Sequence, residues 1–215
     1  MNHLIKKNLF VVLGIMLVCI SSGCKKHETE NLIFEDNFSN GQNWTLEGTS
    51  LGTVLFQDNM LQITEADVYE PTTASLNLDF ITANKFCIVI NFNTFKMYRK
   101  GTDDYMEELS DNSNDVRIYV GDFYIKRKYT RNKKTTEKTE INGKDLHFYI
   151  NKSTGKFKVK VDHTGENVTD YFEKVEESSL EQRLVISNKK NVMWSNSKYW
   201  MDTVKVNSVK IYDFK

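Results

Sequence analysis

The stretch DLHFYINKSTGKFKVKVD, residues 145–162, restricts what this chain can fold into more than any other. Leu146, Phe148 and Ile150 alternate with His147, Tyr149 and Asn151, and Phe157, Val159 and Val161 alternate with Lys156, Lys158 and Lys160. Successive side chains of a strand point to opposite faces, so period two on both arms predicts two half-buried strands. The link Lys152-Ser153-Thr154-Gly155 is short and polar, and its glycine can take the positive φ that such hairpin loops need. Strands buried between helices would read as continuous apolar runs. The alternation therefore predicts an antiparallel sandwich whose outer faces meet water.

The rest of the chain follows the same rhythm. Strands are predicted at residues 32–38, 74–81, 86–95, 115–125, 168–172, 180–187 and 202–214, with a hairpin of 52–56 and 60–63 about Gln57-Asp58-Asn59. Phe86, Ile88, Ile90 and Phe92 would share one face, as would Val116, Ile118 and Val120. Gly121 suggests a bend or bulge. Val204 and Val206 differ in parity from Val209 and Ile211, which predicts a bulge or tight bend near Asn207-Ser208. Residues 97–114 read as a long acidic loop, 126–144 as a projecting basic and threonine-rich hairpin, and 173–179 as a loop or helical turn. Helix signals are scarce, and a single proline leaves no Pro-rich linker at which to divide the chain. One all-β domain is expected.

The first residues are different in kind. Lys6 and Lys7 precede an apolar run over 9–20, too short to span a bilayer comfortably, and Ser21, Ser22 and Gly23 then lead to Cys24. This order resembles the signal peptide and lipobox of bacterial lipoproteins, with Ser21 where leucine is usual. The resemblance implies removal of residues 1–23, a diacylglycerol and a palmitate-type acyl chain on Cys24, and a leash over 24–31 ahead of a domain at 32–215. The protein would then be exported and lipid-anchored in the cell envelope, in the outer membrane, facing the periplasm or the surface, and would meet the membrane through its lipid only. Cys87, between Phe86 and Ile88 in an apolar strand, is left without a partner and reads as a buried, inert thiol.

Four pieces carry a second resemblance: FEDNFSNGQNW at 34–44, VLFQDNMLQIT at 54–64, HFYINKSTGKFKVKVD at 147–162 and MDTVKVNSVKIYDF at 201–214. Their order is similar to that of the concanavalin A-like lectin/glucanase jelly roll, in particular its laminin-G-like branch. The resemblance implies an all-β, two-sheet antiparallel jelly-roll sandwich in which the first and last strands pair. It also implies a function drawn from glycan-binding modules, glycoside hydrolases and envelope proteins. Fold alone does not choose among them.

Residues that could carry a function fall into a few groups. Sugar recognition in this family uses an exposed sheet face, where aromatic rings stack on sugars and planar polar groups bond their hydroxyls. Arg117, Tyr119, His147 and Tyr149 all point out from two strands expected to lie close together, and would form one polar-aromatic patch; the plainer reading is a solvated outer face. Glu65, Asp67 and Glu70 match the E-x-D-x-x-E spacing of a retaining β-glucanase family, which would make Glu65 the nucleophile and Glu70 the acid/base. Ala66, Pro71 and the early position depart from that family's pattern. Trp194, Tyr199 and Trp200 form a further aromatic cluster that reads mainly as a lid over the sandwich end. No cofactor is called for, although Asp36, Asp202 and Asp213 could supply oxygens to a structural calcium, as in some relatives. Equal numbers of basic and acidic residues imply no charged partner. The basic stretch at 126–134, with Tyr124 and Tyr129, could suit nucleic acid, but an exported chain rarely meets any, so no nucleic acid is expected and the stretch reads as a solvated hairpin that could touch anionic lipid or polysaccharide. The leading expectation is a non-catalytic, membrane-tethered glycan binder. The alternatives are a glycoside hydrolase and a structural envelope protein whose loops at 103–115 and 126–138 meet a protein partner.

Overall fold

The computed structural model describes residues 29–48, 52–64, 71–99, 114–128, 137–141, 143–162, 165–178, 181–188 and 203–214. The leader with Cys24, the acidic residues 65–70, most of the 97–114 insert, the 129–136 segment, the aromatic cluster at 194–200 and Asp202 lie outside these residues. In chain order the strands are β1 (Glu30–Asp36), β2 (Trp44–Glu47), β3 (Val54–Gln57), β4 (Met60–Ile63) and β5 (Thr72–Asn77). There follow β6 (Lys85–Thr94), β7 (Lys96–Arg99), β8 (Asn114–Val120), β9 (Phe123–Arg127) and β10 (Glu137–Glu140). The last are β11 (Lys144–Asn151), β12 (Lys156–Val161), β13 (Phe172–Glu176), β14 (Gln182–Asn188) and β15 (Val204–Phe214). Among the described residues the one helical element is a 3₁₀ turn at Thr169–Tyr171, and no helix is long and apolar enough to cross a membrane.

Two antiparallel sheets face each other in a β-sandwich. The seven-stranded sheet runs β12-β11-β6-β15-β4-β3 with β1 also on β15, and the six-stranded sheet runs β13-β9-β8-β14-β5-β2. β7 and β10 pair separately as a small ribbon. The central hairpin forms as its alternation requires: Leu146 faces Val161, Phe148 faces Val159, and Gly155 takes φ +64 in the turn. Between the sheets, Phe86, Ile88, Ile90 and Phe92 of β6 meet Ile118 of β8 and Leu184 and Ile186 of β14, all fully buried. The Phe148 ring meets Phe172 of the opposite sheet edge-on, with centroids 5.1 Å apart. Each such side chain contributes about 1.5–3 kcal/mol relative to leaving it in water.

β15 keeps its apolar residues inward through the expected irregularity. The register with β6 shifts between Val206 and Ser208, and Val204, Val206, Val209 and Ile211 are all fully buried. β1 pairs with β15, which joins the first and last strands of the fold. Gly121 sits at φ +99 in the two-residue connection between β8 and β9, making a hairpin of what the sequence suggested was a bend or bulge.

Other expectations are corrected. Residues 97–99 belong to β7 instead of a loop, and β2 has no counterpart among the predicted strands. The strand expected at 74–81 stops at Asn77, because the Asn77 side chain accepts the Asp79 N–H at 2.6 Å and turns the chain. The strand expected at 168–172 begins only at Phe172 and continues through the charged residues to Glu176. β13 is an edge strand, where glutamate and lysine are at home, so charge there did not signal a loop.

Two side chains tie the layers together. Asp36 of β1 accepts the Phe38 N–H at 2.7 Å with one oxygen and the Trp44 indole N–H at 3.1 Å with the other, reaching from one sheet to the other. Beneath it Phe38, held at φ +61, packs between the rings of Trp44 and Phe56. Gly41 passes so close to Phe56 that a Cβ would lie 2.3 Å from its ring. At another edge, Lys152 donates from Nζ to the Ile81 carbonyl and to Gln182 Oε1, each at 2.6 Å. Burial pulls its pKa below the ordinary lysine value, against the opposing pull of Asp79.

Asp36→Ala leaves two buried N–H groups without their carboxylate and is expected to cost about 3 kcal/mol. Urea denaturation followed by tryptophan fluorescence measures it; a change below about 1 kcal/mol would show that the bridge between sheets is dispensable.

Candidate functional site

The four residues singled out on the sequence all face outward, but they do not form one patch. Arg117 and Tyr119 stand on β8 in the six-stranded sheet, His147 and Tyr149 on β11 in the seven-stranded sheet, and the two pairs look out from opposite sides of the sandwich. Alternation determines which side of its own strand a residue occupies. It carries no information about which sheet the strand joins.

On the seven-stranded face, His147 lies between Lys160 and Val89, and Tyr149 between Lys158 and Cys87. The two rings are near parallel, 6.0 Å apart, and His147 is only 8% exposed. Beside them the Asn207 amide donates to Asn91 at 2.7 Å, Asn91 donates to Asp145 at 2.6 Å, and Asp145 stands 4.0 Å from His147 Nε2. Asn91, Asp145 and His147 line a depression of about 280 Å³. Burial, then the charge of Glu30, pushes the Cys87 thiol up from 9.0 to about 12. Burial, then Cys87 and Glu30, raises the Tyr149 hydroxyl from 10.0 to about 12. Both stay protonated at neutral pH, and neither supplies a nucleophile.

The opposite side is the outer face of the six-stranded sheet. Register places Asp115, Ser187, Thr73 and Glu47 in one row across β8, β14, β5 and β2, and Arg117, Val185 and Ser75 in the next. These rows line a depression of about 480 Å³. The Asp115 side chain is 7% exposed; its Oδ2 accepts the Arg117 Nε–H at 2.8 Å. Its Oδ1 is buried and accepts no hydrogen bond among the described residues. Burial opposes the Arg117 charge, but Asp115 and Tyr119 outweigh it and hold the guanidinium pKa above its ordinary value. Thr73 donates to Glu47 at 3.1 Å.

Next to these rows stands a cross-strand stack. Tyr124 of β9 lies 5.0 Å from Tyr119 of β8, and the Arg183 guanidinium of β14 covers the other side of Tyr119 at 4.8 Å. Both faces of Tyr119 are therefore occupied, and the stack presents ring edges and hydroxyls outward. Asp115 and Arg183 are not singled out on the sequence, and Tyr124 only beside the basic stretch at 126–134. The run Asp115-x-Arg117-x-Tyr119, three polar residues at period two, was the legible signal for one of them.

The other expected sites fare differently. Asp36 has both oxygens on protein donors, and Asp213 lies toward the other end of the β1–β15 pair, opposite Asn31 while Asp36 is opposite Val209. No three metal-ligating side chains come together among the described residues. Glu65, Asp67 and Glu70 fall outside those residues, in the segment that links β4 of one sheet to β5 of the other. Pro71, which follows them, lines the larger depression.

No family model and no curated protein matches the chain. Solved structures similar to it include a GlcNAcα1-4Gal-releasing endo-β-galactosidase from Clostridium perfringens, at 8% identity and a TM-score of 0.44 over 85% of this chain and 62% of that one. A legume lectin-like domain from Entamoeba histolytica is similar at 11% identity and a TM-score of 0.40 over 80% of this chain and 90% of that one. A sialidase is similar at 7% identity and a TM-score of 0.42 over 80% of this chain, which spans 16% of the sialidase's length.

The raised thiol and hydroxyl have a testable consequence. A group whose folded pKa is raised stabilises the fold below its unfolded value and loses that contribution as pH rises through the folded one. Cys87 and Tyr149 should therefore make stability fall between about pH 9 and about pH 12. Cys87→Ala should flatten the lower part of that slope in urea melts run at stepped pH. In a chain begun at Lys25, where Cys87 is the sole cysteine, a thiol reagent should react only after unfolding.

Proposed function

We propose that this protein is a non-catalytic carbohydrate binder of the cell envelope, tethered through an acylated Cys24, with the outer face of its six-stranded sheet as the binding face. One observation carries the binding reading: the buried Asp115 carboxylate, oriented by Arg117, keeps an acceptor oxygen without a donor among the described residues, at a depression bordered by Thr73, Ser75 and Ser187. An unpartnered buried acceptor costs roughly 1–3 kcal/mol, and a ligand hydroxyl is the donor that removes that cost. Carboxylate, guanidinium and hydroxyl groups spaced along adjacent strands suit the vicinal hydroxyls of a sugar ring. Arg117 and Tyr119 thus remain in the proposed site, while His147 and Tyr149 belong to the other face.

Among the described residues all buried apolar side chains lie between Phe38 and Ile211, so a chain begun at Lys25 retains the whole described core. That chain should bind a defined glycan group on an array. Asp115→Asn and Arg183→Ala should each weaken the best glycan about tenfold or more in titration calorimetry, with melting temperatures almost unchanged. Unchanged affinity in both variants would remove the site. A blank array with folded protein would favour a protein partner met through 103–115 and 126–138. The bound glycan should survive incubation; cleavage that Glu65→Gln abolishes would make the protein a hydrolase.

The anchor has its own test. Cys24→Ser in the full chain should move the protein from the membrane to the soluble fraction and abolish labelling by a fatty-acid analogue; membrane retention without label would overturn the lipid assignment.

A further inference from the structure

One end of the sandwich gathers the starts of β1, β6 and β12 and the ends of β11 and β15. Glu30 pairs there with Phe214, and Asn151 pairs with both Lys85 and Lys156. A groove of about 360 Å³ at this end is floored by Tyr149, Phe157 and Phe214 and rimmed by Lys85, Lys156 and Lys158, with no acidic residue in its lining. The three lysines are exposed and the three rings are half-buried. Lys152 bonds the β11–β12 turn to the neighbouring 78–84 loop through Asn84 and Ile81. That loop presents Phe80, 44% exposed, its ring tilted against Phe34 of β1 with centroids 5.5 Å apart.

Lysines on an edge strand have an ordinary role, which is to prevent pairing with another chain. That role covers Lys156 and Lys158 of β12. It does not cover Lys85, which lies two strands further in, or the aromatic floor between the lysines.

The chain ahead of β1 indicates what meets this end. β1 starts at Glu30, directly opposite Phe214, so whatever holds the preceding residues is delivered beside the groove. From Cys24 the reach is six residue steps, roughly 20 Å at full extension. An acyl chain on Cys24 would keep this end of the domain within that distance of a bilayer surface.

We infer that this end is a membrane-docking surface that rests on anionic phospholipid. Lys85, Lys156 and Lys158 meet the headgroup phosphates, and Phe214, Phe157 and Tyr149 sit at the boundary between headgroups and acyl chains, where amphipathic and aromatic groups are favoured. The inference rests on the anchor reading of Cys24 for its geometry, and it adds a protein surface to a membrane contact expected through the lipid alone. It also orients the domain: this end of the seven-stranded sheet turns toward the bilayer, and the outer face of the six-stranded sheet stands away from it.

The test uses the chain begun at Lys25, which has no Cys24, so its outcome is independent of whether Cys24 is acylated. In sedimentation, the chain should bind vesicles of phosphatidylglycerol and not vesicles of phosphatidylcholine. Neutralising two lysines in Lys156→Gln/Lys158→Gln should weaken binding about thirtyfold. Lys85→Gln, which leaves the edge-strand charges in place, should weaken it about fivefold, both with unchanged melting curves. Failure of the unsubstituted chain to bind phosphatidylglycerol, or binding indifferent to both substitutions, overturns the inference.

Discussion

Three strands share the flanks of β15. β6 lines one edge along most of its length, while β4 and β1 divide the other, β4 beside Val204–Val206 and β1 beside Val209–Phe214. A strand this long has a parity problem, since one extra residue anywhere turns half of its side chains to the wrong side. The irregularity at Asn207 resolves it by letting Val204 and Val206 face the core before it and Val209 and Ile211 after it. The seven-stranded sheet, its pairing of chain ends and the inner apolar layer all depend on that local adjustment. Asn207 also supplies the amide that begins the Asn91–Asp145 network on the outer face.

The two layers are then fastened near their margins by polar groups. Asp36 reaches from β1 to the indole of Trp44, and Lys152 reaches from the central hairpin to Gln182 at the start of β14. Neither bond is predictable from its own neighbourhood, because each joins residues whose strands belong to different sheets. Removing an apolar side chain would loosen the core locally. Removing one of these would leave a buried partner unmatched as well.

Most of the fold was legible because its strands are half-buried and alternate. The central hairpin, the face shared by Phe86 to Phe92, the bulge of β15 and the pairing of first and last strands all followed from period, turn residues and resemblance. Strands whose burial is partial were harder to read: β2 is four residues long, and β13 is charged because it is an edge. The site was half legible. Arg117 and Tyr119 could be assigned to an outer face, but Arg183, Tyr124 and Ser187 join them only through cross-strand register, which period-two patterning leaves open. For the same reason His147 and Tyr149 were grouped with residues on the far side of the molecule.

The stack of Tyr124, Tyr119 and Arg183 limits how this face can recognise anything. With the central ring covered on both sides, its flat apolar surface is already out of water before a ligand arrives. Little additional apolar area remains there to be buried on binding, so the heat-capacity change should be small and the driving force largely enthalpic. On the proposed reading of this face, selectivity follows the direction of individual hydroxyls, so that two sugars of equal size and hydrophobicity, differing in configuration at one carbon, are told apart.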